Sequence, residues 1–436
     1  MIQVTKGMRD FYPEDYRIQE WLFNIFKQAS KLSGFEYYDC PVVEAEELYV
    51  RKAGEEITEQ LYTFEDKSNR KLALRPEMTP SLARMVIQKF KEFPGKIKWT
   101  SIPQCFRYER MTRGRKREHY QWNLDYLGEK SMMAELDIIA TAIHAFELMG
   151  LSSKNVRLRI SNRKLLSDLL LGFGVLESQI IDVFLSIDKL GKIKDEQIIE
   201  LLEKAGLSSD LSQKVLEVIY IKDIKKVKTF IDSCDASNEG YLEIQELFSL
   251  LEIYGFSDYL EFDFSIVRGL AYYTGTVFEF FDARKTLRAI AGGGRYDNLI
   301  QNLADVDLPP KAKGSIKKEA VGFGFGDVVI FELLKDLKLL PELKLTLDYY
   351  LIPFSEDEVK YLLPIVAKLR NQGFTAEIHY PPQKPKKMFE MASKRGAKNG
   401  IIAGSQELDK SILKVKNFRS REETQVRFTD FMDSIS

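Results

Sequence analysis

Arg107-Tyr108-Glu109-Arg110-Met111-Thr112-Arg113-Gly114-Arg115-Lys116-Arg117-Glu118-His119-Tyr120-Gln121-Trp122-Asn123-Leu124-Asp125-Tyr126 decides how the rest of the chain is read. Two strand-like runs flank a loop, residues 111–117, that is dense in positive charge, which predicts a β-hairpin. In the second run His119, Gln121, Asn123 and Asp125 alternate with Tyr120, Trp122, Leu124 and Tyr126. A period of two puts the polar set on one face of a strand and the apolar set on the other. One face packs, and the other presents an amide and a carboxylate where a small zwitterion can bind. Arg107, Arg110, Arg113, Arg115, Lys116 and Arg117 surround the same hairpin. Their charge and the bidentate geometry of arginine suit a triphosphate or a nucleic-acid end, and a solvated basic loop is the plainer alternative.

Upstream, Ile18, Trp21, Leu22, Ile25, Phe26, Ala29 and Leu32 recur at helical spacing after Pro13, and Gly34 follows as a terminator. Residues 35–43, aromatic and β-branched around Pro41, predict a strand ending near Glu44. In Leu74-Arg75-Pro76-Glu77-Met78-Thr79-Pro80, Glu77 and Thr79 stand at the start of a helix, where propensity alone makes either of them a cap.

Downstream, residues 164–251 take helical periodicity with lysine and glutamate on the polar faces, which predicts a helical insertion. Strands return over residues 262–281. Arg268-Gly269-Leu270-Ala271-Tyr272-Tyr273-Thr274-Gly275 sets a guanidinium and two phenols among them, although paired tyrosines are more often core residues. Ala291-Gly292-Gly293-Gly294-Arg295-Tyr296-Asp297 predicts a glycine turn or a close backbone approach to a ligand. A helix is expected over residues 327–338, and residues 309–318 form a solvated lysine-rich loop. Beyond Leu343, strands alternate with helices, which predicts a small domain with a largely parallel sheet and a modest excess of lysine and arginine.

The chain has 436 residues, 44% hydrophobic and 30% charged, enough for two or three domains. Its formal net charge of -1 means that any polyanion site comes from local clustering. Cys40, Cys105 and Cys234 lie in no paired spacing and His119, His144 and His379 are scattered, which argues against a zinc site, a disulfide framework and a Ser/His/Asp or Cys/His nucleophile. The cysteine usage and the lack of a long apolar run predict a cytoplasmic protein with no membrane segment. Gly322-Phe323-Gly324-Phe325-Gly326 misses a dinucleotide fingerprint because Asp327 replaces its third glycine. Asp235, Ser237, Glu239, Gly240 and Glu246 match the spacing of a calcium loop, but with serine third, glutamate fifth and no partner hand.

Taken in order, these segments resemble histidyl-tRNA synthetases over essentially the whole chain. Lys6-Gly7-Met8-Arg9-Asp10-Phe11-Tyr12-Pro13 is similar to the family's N-terminal signature. Residues 34–44 resemble class II motif 1, the dimer-forming segment, and Phe106-Arg107-Tyr108-Glu109-Arg110 through Asp125 resembles motif 2. The segments beginning at Arg268 and Ala291 are similar to two that are peculiar to histidine enzymes.

The resemblance implies an α+β protein: a class II antiparallel catalytic sheet with flanking helices (residues 1–160 and 257–340), a helical insertion (161–256), and a C-terminal α/β anticodon-binding domain (345–436). It implies ATP with Mg2+, histidine and tRNA(His) as ligands, and a homodimer. Arg107 and Arg268 would be catalytic. Arg107, Glu109 and Arg115 would bind ATP, while Glu77, Thr79, Gln121, Asp125, Tyr272 and Tyr273 would bind histidine, Asp125 and Tyr273 at the imidazole nitrogens. Two positions depart from the family pattern: Asp125 stands where glutamate is usual, and Val329 where motif 3 ordinarily ends in an arginine that binds the γ-phosphate. The alternative functions are a catalytically silent paralogue acting as a histidine-sensing regulatory subunit, and a calcium-responsive module built on the Asp235 loop.

Overall fold

Pro13 opens the first helix of the computed structural model, Pro13–Leu32, at a position where its missing N–H forfeits no helical hydrogen bond. The structure describes residues 2–51, 58–191, 193–267 and 272–435. Arg268 and its neighbours Gly269, Leu270 and Ala271 lie outside them. Leu22, Ile25, Phe26 and Ala29 turn one helix face into the core, and the chain leaves the helix through Gly34 at φ +74°, which glycine adopts without Cβ strain.

The strand expected before Glu44 is broken at Pro41 into β1 (Glu36–Tyr37) and β2 (Val43–Ala45). With β3 (Tyr62–Glu65) and β4 (Lys71–Leu74), β2 forms a small sheet in the order β2-β4-β3. The main sheet has nine strands: β1, β5 (Ile97–Ser101), β6 (Gln104–Phe106), β7 (Glu118–Leu127), β8 (Val156–Asn162), β9 (Leu260–Phe262), β10 (Thr276–Asp282), β11 (Ala291–Arg295) and β12 (Ala320–Gly326). Their order is β1-β5-β7-β12-β11-β10-β8-β9, with β6 paired to β7 off this path. Pairing is antiparallel except at β1/β5 and β8/β9.

The predicted hairpin is β6–β7, but its first strand ends at Phe106, so residues 107–117 are all loop. On β7 the apolar face is buried at Trp122 and Leu124 and half-buried at Tyr120 and Tyr126, and Asn123 and Asp125 of the polar face are buried as well. Trp122 stacks on Phe26 at a centroid distance of 4.6 Å and donates its indole N–H to Ser30 Oγ at 3.0 Å. The helix Met133–Leu148 adds Ile138, Ile139, Ile143 and Phe146 to the same core. It is buried nearly all round, as its apolar composition demands.

The three glycines expected to make a turn lie instead in the extended strand β11. A Cβ on Gly293 would sit 2.1 Å from Gly322 O, so the requirement is close packing of β11 against β12, not a turn. In the lysine-rich loop, Lys318 is an exception to solvation: it is buried and donates to Phe93 O at 2.6 Å.

Helices Arg163–Gly172, Ile180–Ile187, Asp195–Lys204, Ser209–Ile219, Ile224–Cys234 and Glu239–Ile253 occupy the predicted helical stretch. They pack around Leu165, Leu169, Val183, Leu202, Val215 and Ile244, while Leu247 and Leu251 of the last helix join the main core. Gly240 lies inside that last helix, where a Cβ would approach Leu165 N to 2.6 Å. Close helix packing accounts for this glycine. The sharp turn that a calcium loop needs at its sixth position is not formed.

Residues 1–340 and 341–436 are separate compact units. The second contains β13 (Leu347–Pro353), β14 (Ala376–Ile378), β15 (Ala397–Ala403), β16 (Ile412–Asn417) and β17 (Glu423–Arg427), ordered β14-β13-β15-β16-β17. Its first three strands are parallel, as expected. β16 and β17 are antiparallel additions, and β17 was not expected because four of its five residues are exposed and carry no apolar pattern.

Candidate active site

Gly322, Gly324 and Gly326 lie on one face of β12, with Phe323 and Phe325 on the other in the core. A Cβ on Gly322 would come within 2.2 Å of Asp125 Oδ1, and one on Gly324 within 1.9 Å of Gln121 Nε2. The glycines are the floor over which β7 extends its two polar side chains. This is the role of the sequence taken for a failed dinucleotide motif. On β11, a Cβ on Gly294 would reach 2.9 Å from the Tyr273 ring, so the same floor continues there.

Above the floor lies a buried acidic group. Asp125 accepts a hydrogen bond from the Tyr296 hydroxyl at 2.6 Å, and its Oδ2 has no partner among the described residues. Glu77, also buried, accepts from the Tyr272 hydroxyl at 3.1 Å. Burial pushes the Asp125 carboxyl up to about 7; the Tyr296 hydrogen bond lowers it, and the nearby charge of Glu77 raises it further. Tyr272 packs against Tyr273 and Tyr296, with ring centroids 5.0 and 5.9 Å away. The group is an apolar, aromatic enclosure around two carboxyls, suited to a ligand carrying nitrogen-bound protons.

Thr79 begins the helix Thr79–Gln88 and is buried beside this segment. Neither it nor Glu77 caps the helix. Met78 holds the N-cap position, with no side-chain cap bond. Glu77 is thereby left to the tyrosines.

Further along the β7 face, Arg107, Glu109, Arg115, His119, Gln121 and Arg288 line an open pocket with Lys116, Gly114, Gly326 and Val329. Arg107 donates to Pro76 O at 2.9 Å, which ties the basic pocket to the segment bearing Glu77. Arg115 pairs with Glu109 at 2.5 Å. Burial, then the charges of Arg107, Arg9 and Arg115, push His119 down to about 3, so its ring is neutral. Arg113 turns away to Glu332 at 2.9 Å and Asp336 at 2.6 Å, and Arg117 lies over the Tyr108 ring at 3.8 Å.

The base of the loop is fixed from the N-terminus. Arg9 bridges the buried acids Glu118 at 2.6 Å and Asp327 at 3.0 Å, and Arg117 N donates to Gly7 O. Arg295, from the triple-glycine segment, pairs with Glu135 at 2.6 Å in the interior and so is structural.

The residues expected from the sequence thus fall into two adjoining groups. Glu77, Asp125, Tyr272 and Tyr273 belong to the enclosed acidic group, while Thr79 is buried two residues beyond Glu77 at the start of its helix. Arg107, Glu109 and Arg115 belong to the open basic one. Gln121 lies in both, lining the basic pocket and leaning over Gly324. Tyr296 and Arg288 were not expected. The first follows a triple-glycine run that has no strand pattern of its own, and no periodicity marks the second.

Residues 7–323 match the family model described as histidyl-tRNA synthetase, and residues 348–436 match an anticodon binding domain. The chain is 43% identical over 429 residues to the Arabidopsis thaliana protein named histidine--tRNA ligase, chloroplastic/mitochondrial, covering 98% of this chain and 86% of that one. It is 37% identical to the histidine--tRNA ligase of Opitutus terrae, covering 97% and 95%. Its fold matches the crystal structure of histidyl-tRNA synthetase from Nostoc sp. PCC 7120 with a TM-score of 0.77 at 22% identity, covering 100% of this chain and 99% of that one.

Proposed function

This chain belongs to the histidyl-tRNA synthetase family, and from that premise we propose how its parts divide the work. Its reaction is the ATP-dependent charging of tRNA(His) with histidine. The observation that carries the division is the shared face of β7, on which Gln121 joins a buried carboxyl group to an arginine-lined pocket.

Histidine sits in the acidic enclosure. Glu77, Thr79 and Gln121 hold its α-amino group, Asp125 and Tyr273 take the imidazole nitrogens, and Tyr272 orients Glu77. ATP occupies the basic pocket, with Arg107 at the α-phosphate, Arg115 toward the outer phosphates and Glu109 toward the adenine. A carboxylate oxygen of histidine attacks the α-phosphorus in line; that P–O bond forms as the bond to pyrophosphate breaks. The negative charge that builds up is met by fixed cations, Arg107 and Arg268, and no protein nucleophile is needed. A terminal ribose hydroxyl of the tRNA then attacks the histidyl carbonyl, and AMP leaves. Mg2+ would come as a companion of ATP, held by phosphate oxygens and water, and would neutralise phosphate charge; the one carboxylate lining the pocket, Glu109, is already paired with Arg115, and no group of three metal-ligating side chains occurs among the described residues.

Residues 1–160 and 257–340 are assigned to catalysis, 161–256 to an insertion, and 345–436 to anticodon binding. A homodimer through residues 34–44 is supported by the exposure of Tyr37, Val42 and Val43 on that segment. No described helix is long and apolar enough to cross a membrane, and Cys40, Cys105 and Cys234 are free, which supports a cytoplasmic setting. A silent histidine sensor has no need of the basic pocket, so Arg107 and Arg115 speak against it. Pyrophosphate exchange into ATP tests the function: exchange with histidine alone among the standard amino acids supports it, and no exchange with histidine removes it.

A further inference from the structure

Because β12 lies between β7 and β11 in the sheet, the basic pocket spans the end of β12. The β6–β7 loop brings its arginines from one side. The β10–β11 connection brings Arg288 from the other. The helix Asp327–Asp336 starts between them, and its Val329 faces the pocket with an apolar side chain against Gly114, whose Cβ would lie 3.3 Å from Val329 Cγ2. A cation for an anion reaching this end must therefore come from a flank.

The flanking cations are not equivalent. Arg107 is tied back to Pro76 O beside the acidic enclosure, and Arg115 is already paired with Glu109. Arg113 pairs with Glu332 and Asp336 outside the pocket, and Lys116, which also lines it, is an exposed loop ammonium without the bidentate fork of arginine. Arg288 makes no ion pair or hydrogen bond with the described residues, and it is crowded by like charge. Its side chain keeps an exposed edge; partial loss of water and then the charge of Arg115 lower its pKa, Glu109 and Glu279 act in the opposite direction, and Arg107 lowers it again. An unpaired guanidinium held beside two others is stabilised by an anion that the protein does not itself provide.

We infer that Arg288 holds the outermost phosphate of bound ATP, supplying from the β10–β11 connection the charge that residue 329 lacks. The inference rests on the ATP-binding reading above and adds to it a residue of different origin. It also orders the pocket: Arg107 at the end next to the acidic enclosure, Arg288 and Arg115 at the far end.

The test compares ATP with AMP by calorimetry on the full-length chain, wild type and R288A, with R288K and R288A/V329R alongside. If Arg288 grips the outer phosphate, R288A weakens ATP by roughly ten- to a hundred-fold, the range of a charged hydrogen bond, and leaves AMP unchanged. R288K and R288A/V329R each recover part of the loss. Equal weakening of ATP and AMP, or no weakening of either, overturns the inference. The two readings fail separately: wild type that binds ATP but shows no histidine-dependent exchange refutes the charging function while the ATP and AMP comparison still decides on Arg288. Wild type that binds no ATP refutes both.

Discussion

The Tyr296 hydroxyl donates to Asp125 Oδ1 at 2.6 Å, and the two side chains are 2% and 1% exposed. A carboxyl in this position is costly to ionise, and its pKa rises to about 7. In the unfolded chain an aspartate titrates near about 3.9. Between those values folding takes up a proton, so this group's contribution to stability is full below the lower pKa and is lost as pH rises through the upper one. Asp125→Asn keeps the acceptor for Tyr296 and removes the charge. It should raise the melting temperature of the ligand-free protein by roughly 2–4 °C for each kcal/mol recovered at pH 8, and by much less at pH 5. The same variant should lose histidine-dependent exchange by about a hundred-fold, since an amide cannot accept from an imidazole N–H with a full negative charge. Thermal melts at the two pH values decide the first part. An equal shift at both would mean that the folded-state pKa of this carboxyl is not raised above its unfolded value.

Gly324 leaves room for Gln121, and a methyl group there would lie 1.9 Å from the present position of Nε2. Gly324→Ala should therefore displace Gln121 and raise the KM for histidine by roughly ten-fold or more, with a smaller effect on ATP. Gly34→Ala is the contrast, because nothing lies within 4 Å of its Cβ and only its φ of +74° resists the substitution. It should cost about 1 kcal/mol of stability and leave both KM values alone. Steady-state kinetics on the two variants separates crowding in the site from backbone strain outside it.

Those glycines also mark how far the sequence could be read. The alternation from His119 to Tyr126 was legible because a strand with one buried face needs only local pattern, and it placed Gln121 and Asp125 together correctly. Gly322, Gly324 and Gly326 obey the same period of two, but their purpose depends on which strand lies beside them. Sheet order is a long-range property: β12 sits next to β7 although Gln121 and its register partner Gly326 are about 205 residues apart in the chain. The triple glycine at 292–294 suggests a turn or a close approach to a ligand for the same reason, its packing against Gly322 O being invisible locally. Arg288 precedes β11 in a connection without periodicity, so only the folded sheet brings it to Arg115. The helical stretch from Arg163 was legible through its apolar spacing, whereas β17, exposed and polar, had no such signal.

Arg268 is assigned to the phosphate transition state, where an interaction is worth more than in the ground state. Arg268→Ala should reduce the rate of adenylate formation by about a thousand-fold, the scale seen when a charge-stabilising donor is removed, and should leave histidine binding nearly intact. Single-turnover kinetics and calorimetry read the two quantities independently. Parallel losses in both would make Arg268 a ground-state or structural residue.

The boundary between the compact units falls between Leu340 and Pro341. Every residue assigned to histidine and ATP lies before it, and the anticodon-domain match begins after it, at residue 348. A chain ending at Leu340 should still exchange pyrophosphate with histidine at a rate within about ten-fold of the full chain, the latitude allowed for altered dynamics at the new terminus. Its kcat/KM for tRNA(His) should fall by about a hundred-fold or more, as expected when one of two linked binding modules is removed. Undiminished tRNA charging by the shortened chain would withdraw anticodon recognition from the second unit.

Arg113 and Arg115 are two residues apart on one basic loop, and composition alone gives no reason to rank them. Their partners do. Arg113 pairs with Glu332 and Asp336 at an exposed position outside the pocket, and exposed pairs of this kind contribute about 0–1 kcal/mol. Arg115 lines the pocket and is held by Glu109, so its guanidinium is pre-positioned for a phosphate and loses little freedom on binding. Arg115→Ala should raise the KM for ATP by roughly ten- to a hundred-fold, the value of a charge-assisted contact, while Arg113→Ala should change it by less than about three-fold. Glu109→Gln supplies the third point, because it removes the anchor and leaves the cation. If Glu109 serves to position Arg115, that variant should weaken ATP by less than Arg115→Ala does, and the double variant should be no worse than Arg115→Ala alone. Equal KM values for the Arg113 and Arg115 variants would show that the loop acts through its total charge, and would remove the specific role of Arg115 in holding the outer phosphates.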